Sequence, residues 1–319
     1  MPPLKGPTLV TGAAGFAGSH LLDRLADQAP LVAWYRPGGR PPDPSRHLEW
    51  HAVNLLDRDA VRLALEISAP SRIYHLAGAA HVDSSWSTVV AQLRTNVFGT
   101  HSLLEAVRMS QRPCRVLVVS SAQVYQRSDE PIDEDTPLVP ATPYGLSKLA
   151  QDRLAAAAVR DDHLDVVIAR PFNHAGPRQS PAFAVASFAR QIARIEAGLD
   201  PPELRVGNLD ARRDLTDVRD VVEAYVRIME GAPAGRPYNI CSGRAWRVGD
   251  LLEELRHMST VRIRVEVDPA RLRPQDIPVI QGDASRLQAD LGWSPRVPVE
   301  QTLHDTLEWW RQETQNSRH

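Results

Sequence analysis

Short apolar runs alternate with segments of helical periodicity along the first half of the chain. The runs have the length of buried strands, and in the segments between them apolar residues recur every three or four positions, as in amphipathic helices. Regular alternation of strands and helices favours an α/β fold with a parallel, doubly wound sheet, whose ligands bind at the carboxyl ends of the strands. The pattern predicts strands near residues 8–11, 31–35, 48–53, 72–78, 115–120 and 165–169.

The order of elements becomes irregular in the second half of the chain, where glycine and proline cluster between shorter helical and alternating segments. A chain of 319 residues is long enough for two joined domains. We therefore expect residues 1–170 to form the sheet domain, with residues 215–245 returning to it. Residues 171–214 and 246–319 should form a smaller C-terminal α+β domain.

A glycine-rich turn directly follows the first predicted strand. Gly12, Gly15 and Gly18 have the spacing G-x-x-G-x-x-G, and a helical pattern with Leu21, Leu22 and Leu25 follows. Phe16 and Ala17 lie within the turn and are candidate cofactor contacts together with the three glycines. Glycines allow a tight turn and a close backbone approach, while the N-terminus of a helix favours a pyrophosphate. The turn therefore predicts a Rossmann dinucleotide-binding fold, with the cofactor phosphates bound here.

The end of the second predicted strand bears on the choice between NAD and NADP. An NAD site usually has Asp or Glu there to bind the ribose hydroxyls. In this chain Tyr35 is followed by Arg36 and, after a short turn, by Arg40. Because arginines suit a 2′-phosphate, the sequence favours NADP, bound as NADPH, with NAD still possible.

Further candidate cofactor contacts follow the next two strands. Asn54 and Leu55 could meet an adenine edge, although Asp57 beside them could equally serve only to cap a helix. The fourth strand ends in small residues, which would let a cofactor approach the backbone. These residues are Leu76, Ala77 and Gly78.

Tyr144 and Lys148 lie four positions apart at the start of a predicted helix, so their side chains share one face. A free tyrosine has a pKa of about 10, and a neighbouring ammonium lowers it by favouring the phenolate. The chain has 37 Lys plus Arg, yet its only lysines are Lys5 and Lys148. Lysine is a compact charge with a tunable pKa, which arginine is not. The pair is therefore our candidate acid/base.

Composition excludes some function classes. The net charge of -2 gives no support to a nucleic-acid partner. Cys114 and Cys241 have neither metal-ligand nor disulfide spacing, so we expect reduced thiols and no metal site. The sequence has no signal-peptide pattern and no apolar run of membrane-spanning length, which predicts a cytoplasmic protein without a membrane partner.

These motifs, together with Ser121 after the fifth strand and the run 170–173, resemble the extended short-chain dehydrogenases/reductases that act on nucleotide sugars. This group is also called the NAD-dependent epimerase/dehydratase family. The stretches 170–177 and 206–220 are similar to the branch that holds GDP-mannose 4,6-dehydratases and GDP-4-keto-6-deoxymannose reductases. Residues 268–276 are most similar to the reductases.

The resemblance implies roles for individual residues. Ser121 would hydrogen-bond the C4 oxygen of the sugar, and Tyr144 would exchange a proton with that oxygen. Lys148 would hold the nicotinamide ribose and lower the pKa of Tyr144, with Asn96 supporting the lysine through its backbone or a water. Pro171 would also contact the cofactor.

The resemblance further implies a substrate site and a homodimer. Two copies would pair through the helices near residues 88–109 and 144–159. A GDP-linked sugar is the expected substrate, with Asn173, Arg213 and Arg273 on its diphosphate and Val185 near its base. The complete set of candidate substrate contacts is His81, Ser121, Gln123, Asn173, Val185, Arg213 and Arg273.

The residues after Ser121 bear on the type of reaction. A 4,6-dehydratase must also remove the C5 proton and expel water from C6, which family members do with a carboxylate just after the catalytic Ser/Thr. Ala122 and Gln123 cannot transfer a proton near neutral pH, and the carboxylates at 130–135 have the pattern of a solvated loop. The sequence therefore favours NADPH-dependent reduction of a 4-keto-6-deoxyhexose, with Tyr144 as proton donor.

Three alternatives remain open. A nucleotide-sugar 4-epimerase with tightly bound NAD would use the same Ser, Tyr and Lys. A 4,6-dehydratase is less favoured because of Gln123. A non-catalytic dinucleotide sensor is disfavoured because Tyr144 and Lys148 are both present.

Overall fold

A computed structural model of the chain describes residues 6–28, 30–39, 48–79, 86–272 and 277–317. Strands and helices alternate over most of this length. The strands are β1 (Thr8–Thr11), β2 (Leu31–Tyr35), β3 (Glu49–Ala52), β4 (Arg72–His75), β5 (Arg115–Val119), β6 (Asp165–Pro171), β7 (Asn173–Ala175), β8 (Glu203–Val206), β9 (Arg212–Asp217), β10 (Pro237–Ile240), β11 (Ala245–Arg247), β12 (Arg264–Val267) and β13 (Val279–Ile280). The α-helices are α1 (Phe16–Leu25), α2 (Arg58–Ser68), α3 (Trp86–Leu93), α4 (Gly99–Ser110), α5 (Pro143–Asp162), α6 (Ala184–Glu196), α7 (Val218–Gly231), α8 (Val248–His257), α9 (Ser285–Leu291) and α10 (Val299–Asn316).

The main sheet has seven parallel strands in the order β10-β6-β5-β4-β1-β2-β3. From β1 the chain first builds outwards through β2 and β3, and then crosses back to build β4, β5 and β6 on the other side. The order therefore reverses between β1 and β4, where Thr11 and His75 are register partners. A crevice for ligands is expected at this switch point. The predicted α/β Rossmann fold class is confirmed.

The central strands β1, β4 and β5 are buried along almost their whole length because helices cover both faces of the sheet. Successive side chains point to opposite faces. Val10 belongs to a core cluster with residues of α1 and α7, whereas Leu9 belongs to a second cluster with residues of α2, α4 and α5. Two separate hydrophobic cores, one on each face, therefore stabilise the sheet beneath the ligand crevice.

The remaining strands form smaller sheets. β9 pairs with β7, β11 and β13, and β8 pairs with β12. A third core cluster joins α6, α8 and α10 to these strands. Residues 201–214 contain β8 and the start of β9. These strands alternate charged and apolar residues over very few positions, so their periodicity is weak.

The helix predicted over residues 88–109 is interrupted. A π-helical segment, Arg94–Phe98, separates α3 from α4 and contains the buried Asn96. Single π-helical turns inside α-helices are frequent at functional sites.

Other features of the described residues bear on function. None of the described helices has the length and apolar character needed to cross a bilayer. Cys114 and Cys241 are both free thiols. Within the described ranges, no cluster of three or more His, Cys, Asp or Glu side chains is arranged to hold a metal ion.

Candidate active site

The glycine turn after β1 forms a cradle at the switch point. Gly12 has φ +68°, and a Cβ added there would lie 2.7 Å from the backbone nitrogen of Ala77. A Cβ on Gly18 would collide with the backbone oxygen of Gly12. The turn therefore packs directly against the end of β4, and only glycine fits. Gly15 is the N-cap of α1, so the free N–H groups of that helix face the crevice edge, as a dinucleotide pyrophosphate requires.

Phe16 connects the cradle to the segment that follows β6. Its ring stacks on His174 with centroids 5.7 Å apart and meets His20 edge-on at 5.6 Å. The His20 ring also hydrogen-bonds the backbone oxygen of Pro177 at 2.9 Å. Since Asn173 directly precedes His174, the cofactor cradle and a candidate substrate residue lie on neighbouring elements.

Ser121, Tyr144 and Lys148 converge at the carboxyl end of β5. Tyr144 and Lys148 lie in α5, whose N-cap Thr142 accepts a hydrogen bond from the Gly145 N–H at 3.0 Å. The Lys148 ammonium donates to the backbone oxygen of Val119 at 2.6 Å. Ser121 comes two residues after that carbonyl and hydrogen-bonds the Tyr144 phenol. The structure thus brings the three predicted catalytic residues together.

Burial dominates the electrostatics of this group. It raises the pKa of Tyr144 to about 12, and the Ser121 hydrogen bond opposes that rise only in part. Burial also lowers the pKa of Lys148 to about 7, opposed by the Asp152 carboxylate. Lys148 makes no resolved contribution to the pKa of Tyr144 in this arrangement, so its effect on the phenol stays a prediction. The phenol stays protonated at neutral pH, which is the form a proton donor needs.

Asn96 supports the site through its neighbours. Its side-chain oxygen accepts from the Ala79 N–H at 2.8 Å, and its amide donates to the Ser147 hydroxyl at 2.9 Å. Ser147 precedes Lys148, so Asn96 joins the cradle to the catalytic helix. A Cβ on Gly78 would lie 2.8 Å from the Asn96 side-chain oxygen, so a larger residue there would displace the Asn96 side chain.

Gln123 lies beside the start of α5. The Thr142 hydroxyl donates to its side-chain oxygen at 3.3 Å, and its backbone N–H donates to the Ser121 hydroxyl at 3.2 Å. Gln123 is thus fixed next to Ser121 and close to the turn of helix that carries Tyr144. A neutral amide occupies this place, and it can neither take nor give a proton near neutral pH.

The carboxylates of Asp133 and Glu134, further along this loop, make hydrogen bonds that stabilise the loop. The expectation of a solvated loop over 130–135 was wrong for Glu134, which is buried. Its carboxylate accepts from the Asn239 N–H at 2.7 Å and lies 3.4 Å from the Arg286 guanidinium. Asp133 accepts from the Thr136 N–H and hydroxyl, both at 2.9 Å. Glu134 therefore holds the loop against β10 and α9, while Asp133 closes a turn within the loop.

Other candidate cofactor residues lie along the same sheet edge. Arg36 is exposed at the end of β2, where the Gly39 N–H closes a turn on its carbonyl at 2.9 Å. Asn54 follows β3, and its side-chain oxygen accepts from the Leu56 N–H at 3.1 Å. Leu55 lies against Gly99, and Asp57 caps α2. Pro171 is buried at the end of β6. Arg40 lies outside the described residues.

The candidate substrate residues are only partly described. Asn173 on β7 is the register partner of Leu215 on β9, two positions after Arg213, so both candidates lie on adjacent strands. The Arg213 guanidinium donates to the backbone oxygen of Ile277 at 2.7 Å. Val185 is buried in the third core cluster, so it offers little surface to a base. His81 and Arg273 lie outside the described residues.

The sequence interpretation missed a set of polar residues behind Lys148. Gln151 accepts a hydrogen bond from the Lys148 ammonium and donates to the Thr100 hydroxyl at 2.8 Å. Thr100 in turn lies 2.9 Å from the His75 ring. The one available signal was that Gln151 follows Lys148 by three positions, which places it on the same face of the helix.

A tyrosine and a lysine on one helix, beside a glycine turn on a parallel sheet, are the arrangement of the short-chain dehydrogenases/reductases. Comparison with known proteins narrows this class. The family model described as GDP-mannose 4,6 dehydratase matches residues 9–306, and the chain belongs to this family. It is 36% identical over 304 residues to GDP-6-deoxy-D-mannose reductase of Pseudomonas aeruginosa, covering 94% of this chain and 96% of that one.

Two solved structures show the same fold. RMD from Pseudomonas aeruginosa, complexed with NADPH, has a TM-score of 0.85 and 33% identity, covering 97% of this chain and 100% of that one. UDP-glucose 4-epimerase of Thermus thermophilus, in complex with NAD, has a TM-score of 0.84 and 28% identity, covering 96% of this chain and 99% of that one. The fold is thus shared by proteins that are named for different reactions.

Proposed function

We propose that this protein reduces the C4 keto group of a GDP-linked 4-keto-6-deoxyhexose with NADPH. The single observation that carries the reductase assignment is Gln123. It is held by the Thr142 hydroxyl and by Ser121, at the place where family members with dehydratase activity have a carboxylate. Without that carboxylate the site can still move one proton at C4, but it lacks the group with which dehydratases of the family act at C5 and C6.

The chain's own residues then have distinct tasks. Ser121 and Tyr144 bind the C4 oxygen, and Tyr144 gives it the proton, since burial keeps the phenol protonated at neutral pH. Lys148 holds the nicotinamide ribose, and the Asn96–Ser147 contact fixes the helix turn that carries it. NADPH, when bound, supplies the hydride. The glycine cradle, where an added Cβ would strike backbone atoms, fits a dinucleotide held against the backbone.

The choice of NADPH over NAD rests on Arg36 and on similarity. Arg36 ends β2 exposed, and β2 carries no Asp or Glu that could bind a 2′-hydroxyl. The Pseudomonas aeruginosa structure is an NADPH complex, whereas the Thermus thermophilus epimerase is an NAD complex. NAD is therefore the second choice for this chain.

The substrate site is proposed on the adjacent strands β7 and β9. Asn173 and Arg213 would bind the diphosphate, together with Arg273, while His81 and Gln123 would face the sugar. This division gives residues 1–170 and 215–245 to dinucleotide binding. It gives residues 171–214 and 246–319 to the nucleotide sugar.

A homodimer and a cytoplasmic location complete the proposal. Apolar side chains stand exposed on the π-helical segment and on the neighbouring helices α3 and α5: Val90 is 62% exposed, Phe98 61% and Leu146 51%. A second copy that pairs through these helices would cover them. Two free cysteines are consistent with a reducing compartment.

The test is to mix the purified protein with NADPH and GDP-4-keto-6-deoxymannose. The proposal predicts one NADPH oxidised for each GDP-6-deoxyhexose formed. No NADPH oxidation, together with NAD that co-purifies and epimerisation of a nucleotide sugar, would replace it with the epimerase. Conversion of GDP-mannose to its 4-keto-6-deoxy derivative would instead favour the 4,6-dehydratase alternative.

A further inference from the structure

We propose that Gln151 is a positioning residue that orients the Lys148 ammonium, and that a buried chain of hydrogen bonds through Thr100 and His75 fixes the orientation of Gln151. This inference rests on the proposed function, because it concerns how the lysine of that site is held. Its test, however, needs no substrate.

The residues that form this hydrogen-bond chain are completely buried, so their hydrogen bonds must be made within the protein. Thr11, His75, Asn96, Thr100 and Gln151 are each 0% exposed. They come from β1, β4, the π-helical segment, α4 and α5. The hydrogen-bond chain therefore connects the ends of β1 and β4, at the switch point, to α5.

Hydrogen-bond counting assigns every donor. The Thr100 hydroxyl lies 2.7 Å from the backbone oxygen of Asn96, which can only accept, so its single proton is used there. Towards His75 and Gln151 it must therefore accept. The Gln151 amide nitrogen donates to it at 2.8 Å, and His75 must donate to it from Nε2 at 2.9 Å.

The same count of donors and acceptors assigns the hydrogen bonds of His75 and Thr11, at the other end of the hydrogen-bond chain. With its proton on Nε2, the neutral His75 ring accepts at Nδ1, where the Thr11 hydroxyl donates at 2.8 Å. The Thr11 oxygen accepts from the Ala77 N–H at 3.3 Å. Burial keeps the ring neutral by lowering the pKa of His75 to about 3, and the Lys148 charge acts in the same direction.

The consequence for Gln151 is a single amide orientation. Its nitrogen is directed to Thr100, so its oxygen must face the ammonium of Lys148, which donates to it. The ammonium has three N–H bonds. Val119 and Gln151 take two of them, which leaves one for the cofactor ribose. A flipped amide would place N–H groups against a cation, which is repulsive.

The experiment measures Lys148 directly. The chain has only two lysines, Lys5 and Lys148, so labelling lysine with carbon-13 at Cε gives two NMR signals, which a Lys5→Arg variant assigns. The Lys148 signal is titrated in the wild type, in Gln151→Met and in Gln151→Glu. Gln151→Met removes the acceptor and should lower the pKa of Lys148, whereas Gln151→Glu adds a facing negative charge and should raise it. We expect shifts of about one unit in opposite directions.

The other ionisable groups that interact electrostatically with the ammonium are Asp152 on its own helix and His75 on β4. They are unchanged in both variants, so they cannot produce opposite shifts. Gln191→Met on α6 is the matched control. Gln191 makes its hydrogen bonds to Ser187 and Arg205, so the Lys148 titration should stay as in the wild type.

Kinetics give a second readout. In Gln151→Met, kcat/KM for the proposed reduction should fall about tenfold or more, as for other lost hydrogen bonds to a charged group. If Gln151→Met does not fold, Thr100→Val and Thr100→Ser carry the test. Thr100→Val should lower the pKa of Lys148, and Thr100→Ser, which keeps the hydroxyl, should restore it.

An unchanged Lys148 titration in all of these variants, or shifts in the same direction for Gln151→Met and Gln151→Glu, would overturn the inference. A wild type without reductase activity would refute the proposed function alone. The titration would still decide the role of Gln151.

Discussion

The Lys148 ammonium donates a hydrogen bond of 2.6 Å to the backbone oxygen of Val119, the last residue of β5. This contact joins α5, the helix that carries Tyr144, to the strand that ends just before Ser121. The distance between the tyrosine helix and the serine is therefore set by a charge-assisted hydrogen bond to backbone, which is stronger than a neutral one. The geometry of the site depends on the sheet itself.

Replacing Tyr144 with phenylalanine should nearly abolish turnover. The variant removes the proposed proton donor while keeping the ring, so kcat should fall by about 10²–10⁴-fold, the usual contribution of a general acid. NADPH binding, measured by nicotinamide fluorescence, should be unchanged. Tyr238→Phe is the matched control, because its hydroxyl binds Asp290 away from the site. Equal activity in the two variants would exclude Tyr144 as the donor.

Replacing Arg36 with alanine should weaken NADPH binding more than NADH binding. A lost charge-assisted contact to the 2′-phosphate predicts an increase of about tenfold in the Kd for NADPH. The Kd for NADH should hardly change. Arg62→Ala, an exposed arginine on α2, should leave both constants as they are. An equal loss for both cofactors would show that Arg36 does not read the 2′-phosphate.

Acid should destabilise the protein through His75. The folded-state pKa of His75 is lowered to about 3 from 6.5, so between these values the unfolded chain binds the proton more readily. The contribution of His75 to the free energy of unfolding is therefore fully present above the pKa of the unfolded chain, 6.5, and is lost as the pH falls towards 3. Linkage predicts a loss of about 2 kcal/mol in the free energy of unfolding between about pH 7 and pH 5.

The comparison that checks this is urea denaturation of the wild type, His75→Gln and His257→Gln at both pH values. His75→Gln should lose less stability over the interval than the wild type. Some acid sensitivity should remain, because burial also lowers the pKa of His20 to about 4. The exposed His257 serves as control and should behave as the wild type. An identical loss in all three proteins would assign the acid sensitivity to other groups.

Replacing Phe98 with aspartate should dissociate the proposed dimer. Phe98 is 61% exposed on the π-helical segment, and a charge buried between two copies would have no partner. Light scattering should then give the mass of one chain instead of two. Leu63→Asp on α2 is a matched control, since Leu63 is 56% exposed but lies outside the helices proposed to pair. Dissociation by both variants, or by neither, would reject this interface.

The sequence predicted those parts of the molecule that depend on strong local signals. Apolar runs located the strands of the main sheet, and the G-x-x-G-x-x-G spacing located the turn that packs on Ala77. The spacing of Tyr144 and Lys148 located the catalytic helix. Each of these signals is carried by residues close together in the sequence, where periodicity and turn chemistry are informative.

What the sequence did not predict depends on contacts between distant residues. Glu134 belongs to a charged stretch that suggests solvent, yet Asn239, more than a hundred positions away, makes it a buried acceptor. The pKa of Tyr144 rises although a lysine follows it on the same helix, because burial raises it more than Ser121 lowers it. Gln151 has no motif, and its importance shows only when Thr100 and His75 meet it across the fold.

In the proposed reduction, external NADPH delivers the hydride to C4 of the sugar. The decisive experiment uses NADPH that carries deuterium at the transferable position, prepared in both stereochemical forms, and GDP-4-keto-6-deoxymannose as substrate. One of the two forms should place deuterium on C4 of the product, in an amount equal to the NADPH oxidised. Product without deuterium from either form would contradict it, because the hydride would then have come from a cofactor already bound and not from NADPH in solution.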